Sequence, residues 1–324
     1  MVISDMRIAV LALEGLFDTG LTVFLEAFGL ANKFSALSGT PKFEVSVVGV
    51  RKKVRSALGL NIPVQAITPR LKPDWVFVPA LSAPTPDLLV PALARPDVLS
   101  AQAQLLKWHH ENVQIAASCI GTFILAETGL LDGRAATTTW WLAPLFRQRY
   151  PKVHLDETRM LVPTDAGVTA GAAMGHLDLA LWLIRKASPA LADMVSRYLL
   201  ADIRSSQAAY IIPNHLAQAD PVVMRFEKWS REHLKTGFSL QAAAKALGIS
   251  PRSLQRRCEV VLGRSPLSYF QDLRVERARS LLHGSGLGVD AIAAEVGYVD
   301  GATLRTLLRQ RLGRGVRELR GDLR

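Results

Sequence analysis

Apolar runs of strand length alternate with helical patterns over roughly the first 200 residues. Four of these runs read as strands buried on both faces, and they cover 7–13, 43–50, 75–79 and 113–118. Leu21, Phe24 and Phe28 recur at helical spacing after the first run, and a helical pattern over 98–112 separates the last two. Strands and helices in alternation predict a mostly parallel sheet with helices on both faces. We therefore expect a three-layer α/β sandwich.

The last hundred residues contain an internal repeat of a different kind. Segments 240–250 and 289–300 align so that Gly248 and Gly297 occupy equivalent positions. A glycine at a positive φ ends a helix abruptly, so each segment predicts a helix followed by a tight turn. The second helix of each unit has apolar residues every fourth position: Leu254, Cys258 and Leu262 in the first, and Leu304, Leu308 and Leu312 in the second. We predict an all-α domain with helix-turn-helix units at about 239–263 and 288–313, joined by a long helix.

The polar faces of these second helices carry side chains that can read DNA. Ser250 and Pro251 are typical of the start of a helix. A helical wheel then places Arg252 and Arg256 on the face opposite the apolar stripe, with Gln255 at the edge of that face. Arginine pairs with guanine and glutamine with adenine in the major groove. The corresponding face of the second unit has Thr303, Arg305, Thr306 and Arg309. We expect the first unit to discriminate sequence and the second to anchor phosphates, with a merely solvated face as the alternative.

The distribution of charge agrees with this interpretation. The chain has 324 residues, enough for two domains, and a formal net charge of +11. Residues 222–324 contribute +9 of that charge, whereas 1–221 contribute +2. A basic excess concentrated in one region favours a polyanionic partner, although an arginine-rich surface alone could produce it. We place a linker at 204–221, between domains at 1–203 and 222–324.

Hydropathy and cysteine content exclude several other classes. No uninterrupted apolar window of about 18 residues is present, so we expect no membrane partner. Glu14 and Asp18 follow the first apolar run too closely for a secretory signal. Cys119 and Cys258 are too few to staple a chain of this length and fit a reducing compartment. We therefore expect a cytoplasmic protein.

One junction in the first domain has the layout of a nucleophile elbow. The strand at 113–118 leads into Cys119, Ile120 and Gly121, and a helix is predicted over 122–131. Glycine at that place lets the strand and the helix pack closely. The helix N-terminus would favour a thiolate or hold the carboxylate of a ligand.

The stretch 117–140 resembles the DJ-1/PfpI family of flavodoxin-like domains, as does 168–184, and the resemblance covers about 6–190. Catalytic members have a histidine before the tryptophan, where this chain has Thr139 before Trp140. A threonine hydroxyl cannot act as a general base near neutral pH. We therefore predict no catalytic residue and no enzyme. Four histidines elsewhere are expected to be surface or capping residues: His109, His110, His154 and His176.

We instead predict a small-molecule site at the elbow. Its expected residues are Cys119, Ile120, Gly121, Thr139 and Trp140. Three alternatives stay open at this point. The domain could serve only as a structural or dimerising unit, it could be a DJ-1/PfpI-type cysteine hydrolase, or Cys119 could be a redox sensor.

The C-terminal region resembles the DNA-binding domain of the AraC/XylS family over about 222–320. The resemblance lies in 240–266, in the connector at 274–282 and in 292–313. It implies base contacts by Arg252, Gln255 and Arg256, and by Thr303, Arg305 and Thr306. Two departures are leucines in place of aromatic core residues in the second unit, and Gly315-Val316 in place of Ser-Pro.

Together the two resemblances match the GlxA-like group of regulators. That group implies a transcription activator tuned by a small, often nitrogenous, metabolite. The implied partners are double-stranded promoter DNA, RNA polymerase and a small-molecule effector, and a homodimer is left open. No cofactor and no metal are expected.

Overall fold

The chain divides into two compact units. In this computed structural model residues 5–38, 42–202 and 204–321 are described. The first unit comprises Met1–Leu142 with Tyr150–Gln207, and the second comprises Ala143–Arg149 with Ala208–Arg324. The domain boundaries placed at 203/204 and 221/222 stay a prediction. The parts of the predicted domains and linker at 1–4, 203 and 322–324 lie outside the described residues.

A mostly parallel sheet forms the centre of the first unit. Its strands, in the described ranges, follow the order β10-β11-β7-β6-β1-β2-β5, and only β10 runs antiparallel to its neighbour. Two short pairs, β3-β4 and β8-β9, lie outside it. The strands are β1 (Met6–Leu11), β2 (Phe43–Gly49), β3 (Lys53–Arg55), β4 (Asn61–Pro63), β5 (Gln65–Ala66), β6 (Trp75–Val78), β7 (Gln114–Ser118), β8 (Ala135–Ala136), β9 (His154–Leu155), β10 (Leu161–Thr164) and β11 (Gly167–Ala170).

Helices cover both faces of this sheet, which confirms the three-layer sandwich. They are α1 (Asp18–Ser38), α2 (Pro86–Leu93), α3 (Pro96–His110), α4 (Gly121–Ala126), α6 (Gly175–Ala187) and α7 (Pro189–Tyr198). Ile8, Val10 and Phe77 pack with α1, α6 and α7 on one face, while α3 and α4 contact β6 and β7 on the other. The predicted helix over 122–131 is shorter than expected. It ends at Ala126 because the chain turns, and Gly129 has a φ of 76°.

The second unit is entirely helical in its described residues. Its helices are α5 (Ala143–Arg149), α8 (Pro213–Ala217), α9 (Pro221–Glu232), α10 (Leu240–Leu247), α11 (Pro251–Leu262), α12 (Pro266–Gly284), α13 (Val289–Glu295), α14 (Gly301–Leu312) and α15 (Val316–Gly321). The two repeats form α10-turn-α11 and α13-turn-α14. Gly248 and Gly297 have φ values of 69° and 82°, the left-handed backbone that a glycine adopts without strain.

Apolar stripes hold these helix pairs together. In α11 the stripe is Leu254, Cys258 and Leu262, all buried. In α14 Leu304 and Leu308 are buried, so leucine fills the positions where related domains have aromatic residues. In the connector α12 the buried stripe passes through Tyr269, Phe270 and Leu273, whereas Leu267 near its start is 49% exposed.

The segment predicted as a linker has structure of its own. It contains a 3₁₀ turn at Ala208–Tyr210 and the short helix α8, whose Pro213 and Leu216 are buried. Tyr269 of α12 donates a hydrogen bond from its hydroxyl to the Pro213 carbonyl oxygen at 3.1 Å. None of the helices in the described part of the chain is both long and apolar enough to cross a membrane.

Candidate functional site

The exposed face of α11 is the first candidate site. Its start is set by Ser250, whose side chain accepts a hydrogen bond from the Ser253 amide, and by Pro251 in the first turn. Arg252, Gln255 and Arg256 are exposed, as the wheel predicted. They share one face because residues three and four apart are neighbours on a helix.

The arginines of α11 divide into two kinds. Arg257 is held inside the unit by Asp220, with 2.6 Å between its Nη1 and the carboxylate. In contrast, neither Arg252 nor Arg256 has a carboxylate partner among the residues that the structure describes. Gln255 donates to Glu259 at 3.1 Å, an exposed contact that a DNA base could replace. The free guanidinium groups thus point to solvent at the beginning of the helix.

The face of α14 differs in chemistry. Thr303, Arg305, Thr306 and Arg309 are all exposed. The Thr303 amide donates to Asp300 at 2.7 Å, which caps the helix and lowers the pKa of that carboxyl. A groove of about 520 Å³ runs beside the helix and is lined by Arg305, Thr306, Arg309, Gln310, Gly315 and Val316. Two arginines on one wall make this groove suited to an anion.

The elbow in the first unit has the geometry that the sequence predicts. Cys119 adopts a φ of 56°, rare for a residue with a side chain. Its amide donates to the Ala170 carbonyl at 2.9 Å, which fixes the turn after β7. A Cβ on Gly121 would collide with the Val78 carbonyl oxygen of β6, so only glycine allows this approach of helix and strand.

The chemistry of the elbow is different from the expected thiolate. Burial raises the pKa of the Cys119 thiol to about 11, and the Ile120 amide lowers it only partly. The thiol is therefore protonated at neutral pH, and the expectation that α4 would favour a thiolate is wrong. The Thr139 hydroxyl lies beside this thiol. Among the described residues, no nitrogen or oxygen atom forms a hydrogen bond with that hydroxyl.

A buried histidine lies behind the elbow. His176 was expected to be a surface or capping residue, and the structure places it completely buried near the start of α6. Its Nδ1 lies 2.6 Å from the Ala173 carbonyl and 3.3 Å from Ser118 Oγ, and its Nε2 accepts from the Ala80 amide at 3.2 Å. Burial lowers the pKa of His176 to about 4, so it is neutral with the proton on Nδ1. Because both nitrogens are engaged, His176 is not a base for Cys119.

The remaining histidines are nearer the surface. His110 and His154 are exposed, and His109 is half-buried. The other expected ligand residues divide by access: Ile120, Gly121 and Thr139 are buried, whereas Trp140 is half-exposed.

Gln207 is connected to the elbow through hydrogen bonds that sequence reasoning missed. Thr138 Oγ1 donates to the Cys119 carbonyl at 2.7 Å, and Gln207 Nε2 donates to the Thr138 carbonyl at 2.9 Å. Gln207 Oε1 also accepts from the Ala172 amide at 2.9 Å. Gln207 is the last residue of the first unit. The peptide of Cys119 and the end of the first unit thus share one buried network.

Comparison with known proteins assigns the chain to a family. The model of the helix-turn-helix domain matches residues 243–322, which include both glycine turns. The HTH-type transcriptional regulator ArgR of Pseudomonas aeruginosa is 30% identical over 245 residues, which cover 72% of this chain and 71% of the relative. The chain belongs to the AraC-type transcriptional regulators with a DJ-1/PfpI-like domain. The regulator CdhR of the same species is 29% identical over 239 residues, covering 72% and 68%.

Solved structures agree with this family at the level of the fold. An AraC family transcriptional regulator from Pseudomonas putida is 21% identical with a TM-score of 0.51, over 60% of this regulator and 99% of that chain. A ThiJ/PfpI family protein from Pseudomonas syringae is 20% identical with a TM-score of 0.51, over 76% and 91%. The resemblances drawn from the sequence are confirmed. The protein is a DNA-binding transcription regulator with a DJ-1/PfpI-like first domain.

Proposed function

We propose that this regulator reads the base sequence of promoter DNA with Arg252, Gln255 and Arg256 of α11. The observation that carries the proposal is the exposed pair Arg252 and Arg256, which have no carboxylate partner in the described chain although Arg257 beside them does. A guanidinium left without an internal partner keeps its forked donors for the N7 and O6 acceptors of guanine.

The second helix-turn-helix, which contains α14, contributes more to the affinity for DNA than to the choice of base sequence. Thr303 and Thr306 are short, and Thr306 already donates its hydroxyl to the Ala302 carbonyl at 3.1 Å. Arg305 and Arg309 remain for the phosphate backbone, which positions a protein without reading sequence. Two helices of this kind fit successive major-groove segments about 34 Å apart.

Gel-shift titrations with arginine variants test this division of labour. The duplex is one that the full-length protein enriches from a random pool. Arg256→Ala should cost about 1–3 kcal/mol of binding and relax the base choice at one position. Arg309→Ala should weaken binding to all sequences alike and reduce the slope of log K against log salt by about 1.

Arg225→Ala is the matched control, because Arg225 is exposed on α9 and its loss changes the net charge equally. Binding by Arg256→Ala that matches Arg225→Ala on both the selected and a random duplex would contradict the assignment of α11.

For the first domain we propose a regulatory role without catalysis. The neutral Cys119 thiol, the fully engaged His176 and the threonine at position 139 support it, because nucleophilic catalysis needs an activated thiolate and a base. A small, nitrogenous metabolite would bind next to Trp140 and shift the activity of the DNA-binding unit. The regulator would act in the cytoplasm, activate RNA polymerase, and use a homodimer on its operator.

A thermal-shift screen of the full-length protein against amino acids and amines tests the effector. A compound that binds only the folded state at a hundred times its Kd stabilises it by about 2.7 kcal/mol. Trp140→Ala should abolish the shift. A shift that persists in Trp140→Ala would place the effector elsewhere, and turnover that is lost in Cys119→Ala would favour the hydrolase alternative.

A further inference from the structure

One carboxylate in the middle of α12 connects the ends of α11 and α14. Arg264, two residues after α11 ends, places Nη1 2.6 Å from Asp272 Oδ2. Arg311, in the last turn of α14, places Nη1 2.8 Å from Asp272 Oδ1. The other terminal nitrogen of Arg311, Nη2, donates to Gln271 Oε1 at 2.7 Å. Each oxygen of Asp272 thus holds a different recognition helix.

The position of this bridge along α12 gives it mechanical importance. The core of the second helix pair begins at Val275 and includes Ile292, Leu304 and Leu308. Tyr269 and Phe270, on the other side of Asp272, are buried and form ring contacts with Phe226 and Phe238, before α10. The two helix pairs pack around different parts of α12. A contact that joins both pairs to one point of α12 therefore helps to determine the distance between α11 and α14.

The bridge is shielded enough to have a defined geometry. The side chain of Asp272 is 14% exposed, and those of Arg264 and Arg311 are 16% and 27% exposed. Each arginine reaches Asp272 through a single nitrogen, and Arg311 places its other terminal nitrogen on Gln271, so the direction of its guanidinium group is restricted as well as its distance, unlike that of a mobile surface pair. Arg311 therefore uses its charge inside the protein and differs from exposed Arg305 and Arg309 on the same helix.

We propose that Asp272 is a positioning residue that sets the distance between the two recognition helices and so selects the spacing of the two DNA half-sites. The proposal rests on the assignment of α11 and α14 as the helices that enter the grooves. One base pair changes the separation by about 3.4 Å and rotates one half-site relative to the other. A protein whose helices are joined by a fixed bridge cannot follow that change without losing contacts.

The experiment compares duplexes that differ only in spacing. The full-length protein enriches a duplex from a random pool, and one base pair is then inserted or deleted between the two protected half-sites. Wild type should lose about tenfold in affinity on either change, because one helix then loses its base contacts, and Asp272→Asn should lose about threefold or less. Asp272→Asn should also bind a random duplex more tightly than wild type, because the negative charge that two arginines share inside the protein is removed.

Two further variants separate positioning from charge and folding. Glu232→Gln removes the same charge at an exposed position of α9 and should keep the tenfold discrimination. Asp272→Glu restores a carboxylate and should recover part of it. Circular dichroism checks folding. If Asp272→Asn does not fold, Arg311→Lys takes its place, because lysine keeps the charge and loses the fork to Gln271.

Folded Asp272→Asn, or Arg311→Lys in its place, with unchanged tenfold discrimination overturns the inference. This outcome is distinct from a failure of the proposed function. In that case Arg256→Ala would bind the selected duplex like wild type, whatever the spacing.

Discussion

Polar groups are buried at the elbow around Cys119, whereas they are exposed to solvent on the face of α11. At the elbow the histidine nitrogens are hydrogen-bonded inside the protein, and the thiol is kept neutral by burial. On α11 two guanidinium groups are left in solvent without a carboxylate partner among the described residues. The first region has the backbone shape of a nucleophile elbow, with its thiol protonated at neutral pH. The second keeps its charge available to a partner.

This contrast shows that backbone geometry and chemical reactivity are separable. Cys119 keeps the left-handed φ that displays a nucleophile in related folds, and Gly121 keeps the close packing that such a turn needs. Reactivity needs in addition a lowered thiol pKa and a base. Here burial raises the pKa of the Cys119 thiol, Thr139 precedes Trp140, and both nitrogens of His176 are already engaged. A regulator could therefore use this fold without using the elbow for catalysis, which is the role that we propose for the first domain. Three predictions test this contrast between the two regions.

The largest effect on stability is expected from Gly121→Ala. The added methyl group would meet the Val78 carbonyl oxygen, which lies in a central strand and cannot move alone. Overpacking against backbone should cost about 3 kcal/mol or more. Urea unfolding followed by tryptophan fluorescence measures it, because five of the six tryptophans lie in the first unit.

Gly29→Ala is the matched control for that substitution. Gly29 lies within α1, and a Cβ there would meet nothing within 4 Å. Alanine should stabilise the helix by about 0.5–1 kcal/mol, since glycine loses more conformational freedom on folding. Equal stability of Gly121→Ala and wild type would show that the elbow is not tightly packed.

The second effect is a loss of stability in acid that comes from His176. Its pKa is lowered from 6.5 to about 4 in the folded protein, so the unfolded chain binds the proton more readily. Stability is therefore fully present above pH 6.5 and falls as the pH decreases toward 4, by about 3 kcal/mol in total. Urea unfolding of the first unit at several pH values measures this slope.

His176→Gln should remove most of that slope, whereas His110→Gln, at an exposed site on α3, should keep it. An equal slope in His176→Gln and wild type would mean that folding does not lower the pKa of this imidazole, so that the folded protein takes up a proton there in acid. Its hydrogen bond from the Ala80 amide would then be absent.

Local features of the molecule could be predicted from the sequence. The glycine turns at Gly248 and Gly297 and the start of α11 at Ser250 depend on residues within one or two turns of chain. The elbow is local in the same sense, because three consecutive residues define it. The exposed side of α11 follows from helical periodicity alone, so Arg252 and Arg256 could be found without a structure.

Features that depend on distant contacts could not be predicted. The thiol pKa of Cys119 is set by burial, which involves β6, β11 and the 137–139 segment together. His176 precedes an apolar run, and this signal could have indicated burial, but its partner Ala80 lies 96 residues away. Asp272 and Gln207 look like ordinary polar residues of a helix and a linker. Their roles come from partners that no local pattern brings together.

The smallest effect on stability is expected at Arg252 and Arg256, where the loss of DNA affinity should be large. The double variant Arg252→Ala and Arg256→Ala should leave the unfolding free energy within about 0.5 kcal/mol of wild type, because exposed side chains without partners contribute little to folding. Alanine is also the best helix former, so α11 is retained. The same variant should lose the affinity for the selected duplex that each arginine contributes, about 1–3 kcal/mol apiece.

Arg257→Ala provides the contrast on the same helix. It breaks the contact with Asp220, which caps α9, and should therefore destabilise the second unit measurably. Thermal unfolding followed by circular dichroism compares the two variants. A double variant that is destabilised as much as Arg257→Ala would mean that Arg252 and Arg256 support the fold. That result would contradict the distinction between Arg257, which stabilises the fold, and the two exposed arginines, which we propose bind DNA.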